Sequence, residues 1–518
     1  MSVTPPTPGD LARIAGRYGI PMADGDAESY AGMISVMLGS YETVQRLYEQ
    51  HMPELTRRAW QRPDPADNQL GAWYVTTRIT AGDGAGPLAG RTVAVKDNIG
   101  VAGVPMMNGS AIIEGFVPRR DATVVSRLLA AGATITGKAV CEDLCFSGGS
   151  HTSRTGPVHN PWDPSRSAGG SSSGSAALVA AGAADLALGG DQAGSIRIPS
   201  SFCGVVGHKP THGLVPYTGA FPIENTIDHL GPITRTVRDA AVMLGVLAGP
   251  DGLDHRQSAA QPQDYLAGLD DGVRGLRVGV IEEGFGIPGL SQPAVDQSVR
   301  DAIAVLADAG AIIRPVSIPW HRDGMDVWNV IGTDGVVTQL IEGFGHGMNT
   351  RGQCDPELTA HFARGLRERA AELPATVTVT MLCGRYMIDA YDGVHYAMAR
   401  NLALELTASY DAALREADVL VLPTLPIVAS RIPPADASRE ESVIRSIEMI
   451  VNTAPFDVSG HPAITVPAGL ARVPGGQEDG LPAGLMIVGR RFDDATCLRA
   501  ARGYETAVGG FPAPPAYR

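Results

Sequence analysis

Residues 169–199, GGSSSGSAALVAAGAADLALGGDQAGSIRIP, place two glycine-rich segments around an alanine-rich helix predicted over 176–184. The first segment, 169–175, puts serine hydroxyls and free N–H groups at the start of that helix, where the positive end of its dipole lies. In the second segment, 189–199, successive N–H groups of a glycine-rich turn can converge on one developing oxyanion. The stretch indicates an electropositive pocket, although an ordinary Ser/Gly N-cap loop is an equally good interpretation of the first segment.

The sequence around this stretch repeats one unit, in which an amphipathic helix is followed by a helix stop and a short β-branched run. The unit occurs at 123–136, 294–316 and 402–422. Further short apolar runs lie at 93–95, 278–281, 463–466 and 485–488. Glycine after a last helical turn suits a left-handed C-cap, and short apolar runs suit strands that are buried on both faces. The pattern predicts an α/β fold with a large mixed twisted sheet flanked by helices on both faces.

Two regions fall outside this pattern. Predicted helices at 11–18 and 30–50 carry apolar residues at three- and four-residue spacing, which makes residues 1–70 an N-terminal helical region. The main α/β domain is then expected to span 71–518. Residues from about 318 to 400 contain many glycines and weak strand signals, which predicts an inserted subdomain there.

Composition excludes several classes of protein. Of 518 residues, 44% are apolar and 19% are charged, which excludes global disorder. A net charge of −14 argues against a surface that binds nucleic acid or an anionic membrane. The first ten residues show no signal peptide, and the longest apolar run is far shorter than the ~20 residues of a membrane span. Six scattered cysteines do not suit a disulfide scaffold, so we expect a cytoplasmic protein with reduced thiols.

Two strings match motifs of other enzyme classes only in part. The string 132–139, GATITGKA, resembles a phosphate-binding loop but ends in alanine, where the hydroxyl that holds Mg²⁺ is required. The string 170–174, GSSSG, fits GxSxG with Ser172 at its centre, but a loop precedes it where a nucleophile elbow needs a strand. Nucleotide binding and an α/β-hydrolase site are therefore both disfavoured.

Histidine and cysteine side chains near residue 208 give no clear ligand set. His208 and His212 flank Pro210, which breaks the helix that would place both imidazoles on one face. Cys203 is close in sequence and could be a thiol nucleophile, but a buried structural cysteine is the favoured interpretation. We expect no metal and no cofactor.

Lys96 stands at the end of an apolar run in the string VAVKDN, 93–98. Burial at the end of a strand disfavours the ammonium form, so that a neutral lysine there can act as a base. Taken alone, the segment favours a lysine that extends to solvent.

Together, the segments at 93–98, 169–176 and 189–199 resemble the amidase signature family in order and spacing. The similarity spans about 92–502 and leaves 1–70 outside. It continues through the strings at 203–219, 228–241, 452–469 and 484–501. Strings such as AWYVTT and GVPMMNGS are most similar to the bacterial amidases that act after nitrile hydratases.

The resemblance implies a Ser–cisSer–Lys relay. Ser195 would be the nucleophile, Ser171, after a cis peptide bond, the bridging serine, and Lys96 the base. Neutral Lys96 would take a proton from Ser171, which takes one from Ser195 as that serine attacks the amide carbonyl. The N–H groups implied to form the oxyanion hole belong to Gln192, Ala193, Gly194 and Ser195.

The sequence departs from the family pattern at two positions, Ser173 and Ala193, where the family usually has glycine. If residue 193 requires a positive φ, alanine is strained there, which would affect rate and specificity and leave the reaction class unchanged. Four apolar residues are candidates for the substrate pocket, although each could equally be ordinary core. They are Phe146, Ile227, Trp328 and Ile450.

The resemblance implies hydrolysis of small aliphatic or aromatic carboxamides to a carboxylic acid and ammonia, through an acyl-enzyme. An amidase for a bulkier xenobiotic or anilide-type amide is the alternative, and a transamidation subunit or a catalytically silent binding protein is less favoured. The expected partner is a small amide, with no nucleic acid or membrane. The apolar stripe of the N-terminal helices predicts a homodimer formed through them.

Overall fold

The computed structural model describes residues 3–82, 84–257, 259–345, 351–473 and 479–515. The chain divides into two compact units, Met1–Leu55 and Thr56–Arg518. The division at residue 70 that the sequence suggests stays a prediction. Within the described ranges, no helix is both long and apolar enough to cross a membrane.

The first unit consists of two helices, α1 (Pro8–Tyr18) and α2 (Asp26–His51). The Thr7 side chain accepts a hydrogen bond from the Asp10 N–H, and the Asp10 carboxylate accepts one from the Thr7 N–H, so a capping box begins α1. Gly19 ends α1 in the left-handed conformation. Several large apolar side chains of α2 are exposed: Met33, Val36, Met37, Tyr41 and Val44.

The second unit is built on a mixed twelve-stranded sheet with the order β1-β2-β4-β3-β5-β7-β6-β11-β12-β10-β8-β9. The strands are β1 (Trp60–Gln61), β2 (Trp73–Ile79), β3 (Thr92–Lys96), β4 (Thr134–Ala139), β5 (Leu186–Asp191), β6 (Val206–Lys209), β7 (His229–Thr234), β8 (Arg277–Ile281), β9 (Ile312–Val316), β10 (Val419–Pro423), β11 (Ala463–Ala471) and β12 (Leu481–Val488). Parallel pairing joins β4, β3 and β5 at one place and β10, β8 and β9 at another, and the other pairs are antiparallel. The predicted mixed α/β sheet is confirmed.

Helices flank this sheet and bury its central strands along their whole length. The helices are α3 (Thr123–Ala130), α4 (Ser173–Ala180), α5 (Arg197–Cys203), α6 (Val237–Leu247), α7 (Pro293–Asp308), α8 (Trp320–Val336), α9 (Pro356–Arg369), α10 (Ala375–Tyr391), α11 (Val394–Glu416), α12 (Arg439–Ile447), α13 (Pro455–Ser459) and α14 (Asp494–Ala507). Every residue of β5, β10 and β12 is buried, as expected for strands covered on both faces.

The region from about 318 to 400 is helical in its described residues, with α8, α9, α10 and the start of α11. Helix α8 packs against α10 and α11. Phe362 and Val377 from this region share a separate apolar cluster with Ile112 and Phe221. The weak strand signals of the sequence therefore reflect helices, and an inserted subdomain here stays a prediction.

Gly231 lies where β7 passes close to the backbone at the end of β6. A Cβ at this position would lie 2.2 Å from the carbonyl oxygen of His208 and 2.7 Å from Cδ of Pro210. Neither atom belongs to a flexible side chain that could move aside, so the two strands depend on glycine here.

We expect Gly231→Ala to lower the free energy of unfolding by about 3 kcal/mol, because overpacking against backbone forces the strands apart. The matched control is Gly245→Ala on the exposed side of α6, where the nearest neighbour of a new Cβ is Tyr265 Cδ2 at 3.9 Å. Alanine there should be neutral or stabilise the helix by up to about 1 kcal/mol. Chemical denaturation of both variants measures the difference, and equal midpoints would contradict the role of Gly231.

Candidate active site

Lys96 and Ser171 meet at the carboxyl ends of β3 and β5. Because β3 and β5 are parallel, Lys96 at the end of one strand lies beside Gly190 near the end of the other. The Lys96 Nζ donates to Ser171 Oγ at 2.8 Å and to the Gly190 carbonyl at 3.1 Å. Lys96 and Ser171 are fully buried, and the Gly170–Ser171 peptide bond is cis. A buried amine therefore contacts a serine hydroxyl directly.

Ser195 lies in the turn between β5 and α5. Its carbonyl accepts a hydrogen bond from the Ser172 N–H at 3.2 Å, which ties this turn to the segment that carries Ser171. The residue is 5% exposed and lines a cavity of about 290 Å³. The structure thus brings the three predicted relay residues to one region, with Ser195 at the cavity wall and Lys96 behind Ser171.

The Asp191 carboxylate organises the turn 191–197 from inside. It accepts the Gly194 N–H at 2.5 Å and the Ile196 N–H at 3.0 Å. It also accepts two hydrogen bonds from the Arg197 guanidinium, both at 3.0 Å. Burial alone would raise the pKa of Asp191, but the charge and hydrogen bonds of Arg197 outweigh it and lower that pKa to about 2. The carboxylate is therefore charged at neutral pH and can hold the turn in one conformation.

This geometry reduces the number of N–H groups that are available to the predicted oxyanion hole. The Gly194 N–H is already bonded to Asp191, so it is not free to bind an oxyanion. Among the described residues, no acceptor is bonded to the N–H groups of Gln192, Ala193 or Ser195. Three of the four N–H groups named from the sequence therefore remain available.

The two departures from the family pattern have different outcomes. Ala193 is not among the residues with a positive φ, so alanine is not strained there. The positive φ, +127°, belongs to Gly194, where a Cβ would lie 2.4 Å from Thr453 Oγ1. Ser173 starts α4 with a buried hydroxyl that has no hydrogen-bond partner in the described chain, and nothing in the structure explains the serine at this position.

All four residues predicted for the pocket line the cavity: Phe146, Ile227, Trp328 and Ile450. The sequence analysis missed the other helical residues of the wall. They include Asn329 and Thr333 from α8, Thr376 and Cys383 from α10, and Ile447 from α12. No local motif marks these positions, because they reach the cavity only through the packing of helices that are distant in sequence.

Cys145 is a second feature that the sequence analysis missed. Its thiol lines the cavity and donates to Asn108 Oδ1 at 3.3 Å, and Cys141 donates to the same oxygen at 3.4 Å. Burial alone would raise the pKa of Cys145, but hydrogen bonding to Cys141 and the charge of Lys96 outweigh it and lower that pKa to about 6. The site therefore holds a reactive thiol beside the predicted base.

The side chains of the partial motifs are engaged in structural contacts. Ser172 is fully buried, and its hydroxyl is hydrogen-bonded to Gly190. Burial raises the pKa of Cys203, whose thiol donates to the Ala168 carbonyl. His208 pairs with Asp494 at 3.0 Å. In the described ranges, no group of three or more His, Cys, Asp or Glu side chains is placed to hold a metal.

Comparison with known proteins agrees with this geometry. The family described as Amidase matches residues 58–498. An enantioselective amidase from Rhodococcus rhodochrous is 52% identical over 519 residues, which cover 99% of this chain and 98% of that protein. The chain belongs to the amidase signature family. This amidase is therefore an amide-hydrolysing enzyme.

More distant relatives of the amidase belong to transamidation enzymes. A glutamyl-tRNA(Gln) amidotransferase subunit from Anaeromyxobacter sp. (strain K) is 37% identical, over 89% of this chain and 94% of that protein. The crystal structure of the corresponding Thermotoga maritima protein superposes with a TM-score of 0.69 at 31% identity, and the match covers 86% of this chain and 91% of that one. The fold is shared, but the sequence is nearer to the hydrolase.

We expect iodoacetamide to alkylate Cys145 and inactivate the amidase, because its thiolate is populated at neutral pH. The inactivation rate should fall about tenfold from pH 7 to pH 5, as protonation below a pKa near 6 removes the thiolate. Peptide mapping by mass spectrometry identifies the labelled thiol. Cys383→Ser, which removes an exposed thiol at the cavity wall, is the control. Loss of inactivation in that variant would show that Cys383 is responsible instead.

Proposed function

We propose that the amidase hydrolyses small aliphatic or aromatic carboxamides to the carboxylic acid and ammonia through an acyl-enzyme on Ser195. The observation that carries this proposal is the 2.8 Å hydrogen bond between Lys96 and Ser171, whose neighbour Ser172 donates its N–H to the carbonyl of the cavity-lining Ser195. A base, a bridging hydroxyl and a cavity-facing hydroxyl are the parts that acyl transfer by a serine nucleophile needs.

The proposed reaction begins with neutral Lys96 accepting a proton from Ser171, which in turn takes the proton of Ser195. Ser195 Oγ attacks the amide carbon, and the carbonyl oxygen becomes an oxyanion. The free N–H groups of Gln192, Ala193 and Ser195 stabilise that charge. The relay then runs backwards and protonates the amide nitrogen, so that the C–N bond breaks and ammonia leaves the acyl-enzyme. A water molecule then repeats the sequence on the acyl carbon, which breaks the ester bond to Ser195 and releases the carboxylic acid.

The size and the apolar wall of the cavity support the proposal that the substrates are small. Its volume of about 290 Å³ lies at the lower end of ligand pockets, and apolar side chains such as Phe146, Ile227 and Ile450 form much of its wall. Such a wall suits an alkyl or aryl acyl group better than the charged α-ammonium and α-carboxylate groups of glutamine. The bulkier anilide-type substrate remains the alternative, since Cys383 and Ile447 at the wall are exposed and leave an opening.

A panel of benzamide, propionamide, racemic 2-phenylpropionamide, acetanilide and glutamine tests the substrate class. Ammonia from the first three supports the proposal, and chiral analysis of the third tests whether this chain discriminates enantiomers as its relative's name states. Faster release of aniline supports the bulkier substrate, and release from glutamine alone supports a transamidation role. No product from any amide would support a silent binding protein.

We expect Ser195→Ala and Lys96→Ala to lower kcat by at least about 10³-fold, because each removes a group of the relay. Both variants should stay folded, as judged by circular dichroism. In the wild type, quenching with a slow ester substrate and mapping by mass spectrometry should place the acyl group on Ser195. Ser172→Ala is the matched control and should still acylate. An acyl group found on Ser172 or Cys203 contradicts the assignment.

We also propose that the first unit forms a homodimer and that the enzyme works in the cytoplasm. The dimer is supported by exposed apolar residues of α2 such as Val36, Met37 and Val44, because the exposure of apolar side chains to water is unfavourable. A cytoplasmic location is supported by six cysteines that are all free.

If α2 pairs with its twin, the double variant Met37→Glu/Val44→Glu should convert the dimer to a 54.0 kDa monomer, because it places charges in an apolar contact. Light scattering of the full chain at micromolar concentration measures the mass. Ser35→Glu, which adds charge on the side of α2 opposite Met37 and Val44, should remain dimeric. A wild-type monomer contradicts the dimer, and a double variant that stays dimeric moves the interface to the second unit.

A further inference from the structure

We propose that Trp328 and Thr453 are positioning residues, which hold two peptide groups of the oxyanion turn so that the Ala193 N–H faces the reacting carbonyl. The inference rests on the proposed function, in which that N–H stabilises the oxyanion. Both residues come from parts of the chain far from the turn, in α8 and just after the helical turn Ile450–Asn452.

Trp328 holds the first peptide group, between Gln192 and Ala193. Its indole Nε1–H donates to the Gln192 carbonyl at 2.6 Å. This peptide bond is trans, so its N–H points away from its carbonyl and therefore away from the indole. No acceptor among the described residues takes the Ala193 N–H. The indole thus fixes the plane of a peptide whose free N–H is on the opposite side.

Thr453 holds the second peptide group, between Ala193 and Gly194. Its hydroxyl donates to the Ala193 carbonyl at 2.5 Å and also lies 3.0 Å from the Ile450 carbonyl. On the opposite side of the same peptide, the Gly194 N–H donates to Asp191 at 2.5 Å. Both ends of this peptide group are therefore fixed, and its rotation is blocked. Since Ala193 lies between the two groups, its φ and ψ are fixed from both sides.

Loss of either hydrogen bond should destabilise the transition state more than the bound substrate. If either carbonyl lost its donor, the peptide could rotate and turn its oxygen towards the developing negative charge, where it would repel the oxyanion. The neutral carbonyl of the bound substrate has little charge and would be affected far less. A positioning role therefore lowers kcat and leaves KM nearly unchanged.

Thr453→Val and Trp328→Phe test the proposal on the full chain, because each removes the donor and keeps most of the side chain. We expect kcat to fall about 10- to 100-fold, with KM within about twofold, a smaller loss than removing an oxyanion donor outright. Thr453→Ser keeps the hydroxyl and should stay within about threefold of wild type. Trp320→Phe makes the same change at the other end of α8 and should have no effect.

Inhibitor binding separates positioning from ordinary packing. A boronic acid such as benzylboronic acid forms a tetrahedral adduct with a serine and places an oxygen in the oxyanion hole. Its Kd should rise in Thr453→Val and Trp328→Phe by about the same factor as kcat/KM falls, while the Kd of the product acid stays unchanged. If one variant does not fold, the other carries the test.

Four results would overturn the proposal. A higher KM with unchanged kcat in Trp328→Phe would show that Trp328 acts only as a contact with the substrate. Equal losses of kcat in Thr453→Ser and Thr453→Val would show that the Thr453 hydroxyl has no positioning role. An active wild type whose variants keep full kcat overturns this inference alone. A wild type that hydrolyses no amide and forms no boronate adduct overturns the proposed function as well.

Discussion

The buried ion pair between Asp191 and Arg197 is the interaction on which the site depends. Neither side chain is exposed, and the Arg197 guanidinium also donates to Asp457 at 2.7 Å. Removing one partner of such a pair leaves an uncompensated buried charge, at a cost of about 3–5 kcal/mol. The same Asp191 carboxylate accepts the Gly194 and Ile196 N–H groups, so the pair that anchors α5 also shapes the turn around Ser195.

Sequence reasoning succeeded where the signal is local. The helices that begin the predicted units at 123–136 and 294–316 correspond to α3 and α7, because apolar spacing and a following glycine specify both. The run ending at Lys96 is β3, and the lysine is buried, whereas the segment taken alone favoured a lysine that extends to solvent. These features depend on neighbours within one turn of helix or one strand, and such neighbours are visible in the sequence itself.

Sequence reasoning failed where the position of a residue depends on contacts between distant segments of the chain. The helix predicted from residue 176 begins at Ser173, because the serines of the loop enter its first turn. Engagement of the Gly194 N–H by Asp191 follows from the conformation of the turn, which glycine content alone does not determine. The family resemblance supplied the roles of Ser171 and Ser195, whereas the cavity residues of α10 and α12 could be found only from the tertiary structure.

The residues of the proposed relay and the cavity wall come from different parts of the chain. Lys96, Ser171 and Ser195 lie within the first 195 residues, on strand ends and turns of the sheet, whereas much of the wall is contributed by α8, α10 and α12, after residue 320. Substitutions in these helices can therefore reshape selectivity while the chemical machinery stays intact. Mutant libraries directed at α10 and α12 offer a route to new acyl groups, and natural divergence among amidases can follow the same route.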